Sequence, residues 1–114
     1  MIAPNPPTAD LLTLVNAAYG LNVVALTRLP MGEDAASYLA TARDDGRAVV
    51  RVERARTSAG GIVRTIERLE AIYRLTSALH ERGGVLAQVV APWRTSQGTF
   101  TCQFAERAVA VFPA

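Results

Sequence analysis

The stretch DDGRAVVRVER, residues 44–54, decides the fold. It reads as a tight turn feeding a short hydrophobic strand with a single charge, Arg51, at its centre. That charge is either an ordinary solvent-facing strand residue or a cation placed to grip a phosphate.

On the N-terminal side, SYLATAR (37–43) is also strand-like, so the turn at 44–47 joins two strands into an antiparallel hairpin. Before it, NVVALTRLP (22–30) alternates Val23, Ala25, Thr27 and Leu29 against Val24, Leu26 and Arg28, and Pro30 ends the run. Further back, PPTADLLTLVNAAYGL (6–21) has Thr8 as N-cap and Asp10 where the helix dipole favours a negative charge. Leu11, Leu12, Val15 and Tyr19 make its apolar face, and Gly20 stands at the C-cap. This predicts a short amphipathic helix.

On the C-terminal side, ARTSAGG (55–61) has turn composition. In residues 62–84, Ile62, Ile66, Leu69, Tyr73, Thr76 and Leu79/His80 then recur at intervals of three and four, which predicts a long helix stopped by Gly83 and Gly84. VLAQVVAP (85–92), TFTCQF (99–104) and RAVAVFPA (107–114) are β-rich, with TSQG and AE as the turns between them. The order α, β, β, β, α, β, β, β predicts an α+β fold: a mainly antiparallel sheet of five to six strands, one long helix packed on it, and a short N-terminal helix.

A chain of 114 residues fits one domain, 1–114. Half of the residues are hydrophobic and 19% are charged, enough apolar surface to offset the entropy of ordering. No apolar run approaches the roughly 20 residues of a membrane span, and MIAPNPPTAD lacks a basic signal-peptide start, so a cytoplasmic protein is expected. The net charge is +2, every basic residue but His80 is arginine, and acidic residues are interleaved along the chain. That is unlike the basic stripe of a nucleic-acid binder, and no nucleic-acid partner is expected. With one Cys and one His, no intramolecular disulfide or metal site is expected. Cys102 reads as a small core residue and His80 as structural.

Three features fall in an order that suits phosphate chemistry. A Gly-containing loop, MGEDAAS (31–37), joins the first two strands; Arg51 sits in the third; the long helix follows with Glu67 and Glu70. Small loop residues let backbone N–H groups approach an anion, a strand cation neutralises phosphate charge, and a helix carboxylate can hold that cation. Taken singly, each has a plainer reading as a turn, a solvated strand residue and an exposed helix charge.

The run YGLNVVALTRLPMGEDAASYLATARDDGRAVVRV (19–52) resembles the start of the small lobe in aminoglycoside phosphotransferase-like kinases. VVAPWRTSQGTFTCQF and RAVAVFPA look like the branch that contains the spectinomycin phosphotransferases, where a P-x-x-T-x-x-G element, here Pro92, Thr95 and Gly98, leads to an apolar strand and a hinge. The resemblance implies a protein-kinase-like small lobe that binds ATP with Mg²⁺. Gly32 to Ser37 would cover the phosphates, with Asp34, Ala35 and Ala36 near the terminal ones. Arg51 would stand where the family has a phosphate-gripping lysine, and Glu67 or Glu70 would orient it. Val50 would line the base, and the backbone of Val111, Phe112 and Ala114 would meet adenine.

Arginine replaces a compact ammonium with a longer planar fork, a non-conservative change at a tight phosphate site. No H-x-D-x-x-x-x-N stretch occurs in the sequence, so no catalytic residue is assigned. The expectation is a nucleotide-binding lobe, inactive without a C-terminal catalytic lobe that would also carry most contacts to a small-molecule hydroxyl substrate. An apolar lower surface and the strand 107–114 would favour a self-associating copy in its place. The alternative expectation is a non-catalytic binding or dimerisation module built on the same lobe.

Overall fold

The turn between residues 42 and 47 shows how closely local chemistry sets the hairpin. In the computed structural model, which describes residues 8–30, 35–54, 61–84 and 91–114, Ala42 N–H donates to the Gly46 carbonyl at 2.7 Å and Asp45 N–H to the Ala42 carbonyl at 3.1 Å. The Asp44 carboxylate accepts the Gly46 N–H at 3.0 Å. Asp45, not the glycine, takes the left-handed backbone, with φ of 67°, a conformation that aspartate tolerates. Gly46 instead provides room, because a Cβ there would lie 3.0 Å from Asp44 Oδ1.

Around this hairpin the elements run α1 (Thr8–Tyr19), β1 (Val23–Leu29), β2 (Ala35–Ala42), β3 (Arg47–Arg54), α2 (Gly61–Glu81), β4 (Cys102–Phe104) and β5 (Arg107–Pro113). The five strands form one sheet in the order β1-β2-β3-β5-β4, and every pairing is antiparallel. β3 is the central strand. The expected strand at 85–92 lies outside the described residues up to position 90, and residues 91 and 92 are not in a strand. Only three residues of TFTCQF are β, because Phe100 and Thr101 bond to helix α2 through the Glu70 carboxylate.

Both faces of the sheet carry a helix, and the period of two assigns each strand residue to one of them. On one face, Leu11 and Val15 of α1 pack with Val23, Tyr38, Ala40, Ala48, Val50, Val52, Val109 and Val111. On the other, Leu69 and Tyr73 of α2 pack with Phe100, Ala108 and Ala110, flanked by Ile62, Ile66 and Phe112. The sequence places the long helix as the main cover of the sheet; the larger of these buried clusters belongs instead to the short α1.

Helix α1 ends as its sequence expects. Gly20 has φ of +65°, and Leu21 N–H reaches back to the Asn16 carbonyl at 3.2 Å, closing the turn in a Schellman-type cap. Asn16 then pairs with Val23 as a strand neighbour would: its Oδ1 accepts Val23 N–H at 2.8 Å and its Nδ2 donates to the Val23 carbonyl at 3.0 Å. On α2 the buried side chains are Thr65, Leu69, Tyr73 and Ser77. His80 is exposed rather than on the packed stripe.

Because Leu11 is fully enclosed, Leu11→Ala is expected to lower the unfolding free energy by about 2–5 kcal/mol in urea titrations. Val24→Ala, at an exposed site on β1, should change it by no more than about 0.5 kcal/mol.

Candidate functional site

Arg51 lies on the α2 face of the sheet, between Ser37 on β2 and Ala110 on β5. Its side chain is half exposed, and its Nη2 lies 3.6 Å from Oε1 of Glu53, the next residue on the same face. The other oxygen of Glu53 meets Nη2 of Arg68, from α2, at 3.3 Å. Glu53 therefore joins strand to helix, with an arginine on each carboxylate oxygen. Tyr73 stands beside this group, its ring edge-on to Phe112 with centroids 5.6 Å apart. Burial pushes the Tyr73 hydroxyl above its usual range, while the positive charge of Arg51 pulls it part of the way back.

The helix carboxylate expected beside Arg51 is not brought to it. Glu70 turns toward the approach to β4: it accepts Phe100 N–H at 3.0 and 3.1 Å, Thr101 N–H at 2.7 Å and the Thr101 hydroxyl at 2.6 Å. Two backbone donors with no strand partner, plus a buried hydroxyl, outcompete a cation that Glu53 already meets. Glu67 is exposed. Among the described residues, no ion pair links Arg51 to either glutamate.

The remaining expected site residues divide by position. Gly32 and Asp34 lie outside the described residues. Ala35, Ala36 and Ser37 belong to strand β2, not to a loop; Ala35 and Ser37 face the Arg51 side, opposite Glu53 and Arg51 respectively, and Ala36 faces the other. Val50 cannot line a site with Arg51, since neighbouring strand residues point to opposite faces; it is fully buried against the α1 core. Val49 does share Arg51's face, with Leu39 opposite it on β2 and Phe112 on β5. Val111 also points into the α1 core, and its carbonyl accepts the Trp93 N–H at 2.8 Å. Ala114 lies beyond the end of β5 and is exposed.

The P-x-x-T-x-x-G element forms a turn organised by Thr95. Its hydroxyl lies 2.7 Å from that of Thr99 and accepts N–H groups of Gln97 and Thr99, while Gly98 adopts φ of +86°. Ser96 N–H donates to the Ala18 carbonyl at 2.8 Å, tying the turn to the end of α1. Nearby, the Tyr19 hydroxyl donates to the carbonyls of Phe100 at 2.8 Å and Val109 at 3.2 Å. Burial raises the Tyr19 hydroxyl far above its ordinary value. Cys102, half-buried beside it rather than fully in the core, is pushed up to about 11 by burial, against a smaller opposite pull from Tyr19.

Glu53, Arg68 and Tyr73 were not among the sequence candidates. Glu53 was accessible to sequence reasoning, because residues two apart on a strand share a face; Arg68 needed the helix to be docked.

Over 96% of its length the chain is similar, with a TM-score of 0.66 and 18% identity, to the crystal structure of spectinomycin phosphotransferase, APH(9)-Ia, in complex with ADP and spectinomycin. The fold is that of a kinase-like small lobe. The lobe spans about 30% of that enzyme's chain. No protein-family model and no curated protein sequence matches it. Among the described residues of the lobe, no helix is long and apolar enough to cross a membrane, and no group of three or more His, Cys, Asp or Glu side chains is placed to hold a metal ion.

Two outcomes follow from this geometry. Glu70→Ala is expected to speed amide hydrogen exchange at Phe100 and Thr101 by about tenfold or more, as roughly 1.5–3 kcal/mol of charge-assisted bonding is lost, whereas Glu67→Ala leaves these amides unchanged. The raised Cys102 thiol gives a stability contribution that is full below pH 9, where a free thiol begins to ionise, and is lost as pH rises through about 11. Tyr19 acts with the same sign. Thermal unfolding scanned from pH 8 to 11.5 should show the midpoint falling over that window, less steeply in Cys102→Ala.

Proposed function

We propose that this chain is the ATP-binding small lobe of an antibiotic-phosphotransferase-like small-molecule kinase, a single domain working in the cytoplasm with a C-terminal catalytic lobe. The observation that carries the reading is Arg51: a cation at the centre of the middle strand, facing the α2 side of a kinase-like lobe, with a serine opposite it. Beside it on the same face, the partly exposed Leu39, Val49 and Phe112 offer an apolar surface suited to a nucleobase. Charged donors next to an apolar shelf fit a nucleoside polyphosphate, so the residues present suit that ligand. The similar enzyme was crystallised with ADP and spectinomycin, which supports nucleotide and small-molecule hydroxyl partners for the complete kinase.

When bound, the nucleotide supplies the phosphoryl group, and Mg²⁺ would accompany its phosphates. This lobe's own residues position the phosphate chain and shield the base. The sequence has no H-x-D-x-x-x-x-N stretch of the kind that activates an acceptor hydroxyl and binds metal, so the lobe alone is proposed to be inactive.

One observation favours a second reading, a non-catalytic binding or dimerisation module: Arg51 already has an acidic neighbour in Glu53, so it does not need a phosphate to balance its charge. The two readings separate in a titration with Mg–ATP followed by calorimetry and by Trp93 fluorescence. The nucleotide lobe should bind with a Kd near millimolar, Arg51→Lys should retain binding, and Arg51→Ala should weaken it by about tenfold, the worth of one charge-assisted contact. Absence of heat and of fluorescence change at millimolar ATP would falsify the nucleotide reading and leave the module.

A further inference from the structure

Where Arg68 of α2 meets Glu53 of β3, the charges are arranged as cation, anion, cation. Glu53 is the inner member, its side chain only 16% exposed, while the guanidinium-bearing side chains of Arg51 and Arg68 are 45% and 42% exposed. Each arginine offers one nitrogen to a different oxygen of the same carboxylate, at 3.6 and 3.3 Å. Each guanidinium has five N–H donors, so both retain donors for a second anion. The group as a whole carries one net positive charge. Ser37 sits across from Arg51, and the Tyr73 hydroxyl lies close enough to feel Arg51, Glu53 and Arg68 together.

A carboxylate held between two guanidinium groups engages donors that a phosphate could also use, since the oxygens of both anions accept hydrogen bonds from arginine's planar fork. We propose that Arg51 and Arg68 form a two-arginine clamp for a polyphosphate, and that Glu53 is its built-in occupant, competing with the incoming anion for the same donors. Arg68 thereby becomes a second anion-binding residue, and Glu53 a residue that sets the clamp's affinity through the two arginines. The nucleotide-lobe reading enters only as the identity of the anion, the phosphate chain of a nucleotide.

This competition predicts a gain of affinity on removing an acidic residue, which a purely structural ion pair would not give. Replacing Glu53 by glutamine keeps the shape of the side chain and raises the local charge from one to two. The purified chain is titrated at low salt with inorganic tripolyphosphate and, separately, with ATP, both without Mg²⁺, by calorimetry. Glu53→Gln should tighten tripolyphosphate binding by about tenfold and steepen its salt dependence, while Arg68→Ala and Arg51→Ala each weaken it by about fivefold or more. Arg74→Ala, an exposed arginine of the same helix, should change it less than about twofold. Circular dichroism establishes that each variant is folded. Should Glu53→Gln not fold, Arg68→Ala measured against Arg74→Ala carries the test.

A Glu53→Gln variant that binds no tighter, or an Arg68→Ala variant that binds no worse than Arg74→Ala, overturns the clamp. If ATP binding depends on Arg51 but is indifferent to Glu53 and Arg68, the clamp falls and the nucleotide lobe stands. If tripolyphosphate responds as expected while ATP binds no better than it, the clamp stands and the nucleotide reading falls. If neither ligand binds any folded variant, both fall.

Discussion

The alternation of side chains along β3 is the constraint on which the rest of the structure depends. Val50 and Val52 are sealed against α1 on one face, so Arg51 and Glu53 must emerge on the other, the face that carries α2. A slip of one residue would bury two charges in an apolar core and expose two valines, a cost far beyond what an ordinary domain's stability allows. The turn at Asp44–Gly46 fixes that register from one side and the pairing with β5 fixes it from the other. The position of the candidate site is thus a by-product of packing the opposite face.

A second level of organisation holds the periphery to this strand. Glu70 satisfies the amides of Phe100 and Thr101, and Tyr19 bridges the carbonyls of Phe100 and Val109. Together they attach the short β4 and its approach to both helices, where three residues of ladder would be a weak anchor. The helix carboxylate is therefore committed to holding structure, and the strand supplies its own acidic partner for Arg51. The long planar fork of Arg51 reaches toward a carboxylate on its own strand. The link between strand and helix passes through Glu53 and Arg68 instead.

That arrangement bears on both readings of the molecule. An arginine with a ready carboxylate is stable without ligand, as a binding module requires, yet the same pair leaves donors facing outward on a sheet face that also carries Leu39, Val49 and Phe112. The two readings differ in whether the phosphates of a nucleotide engage Arg51 although Glu53 already stands beside it.

Local signals in the sequence determined much of the fold. The Gly20 cap, the Pro30 stop, the aspartate–glycine turn and the three-four spacing from Ile62 onward each encode backbone preferences that act within a few residues, and the helices and the first three strands follow them. The same alternation could have excluded Val50 from the Arg51 face, since that rule needs only the chain itself. Other points were decided by tertiary structure alone. Which helix covers the larger buried cluster, which glutamate reaches which donor, and the meeting of Arg68 with Glu53 fifteen residues away all depend on how α2 lies across the sheet. Long side chains such as glutamate and arginine go to whatever unsatisfied group packing brings within reach, and a one-dimensional pattern carries no record of that distance.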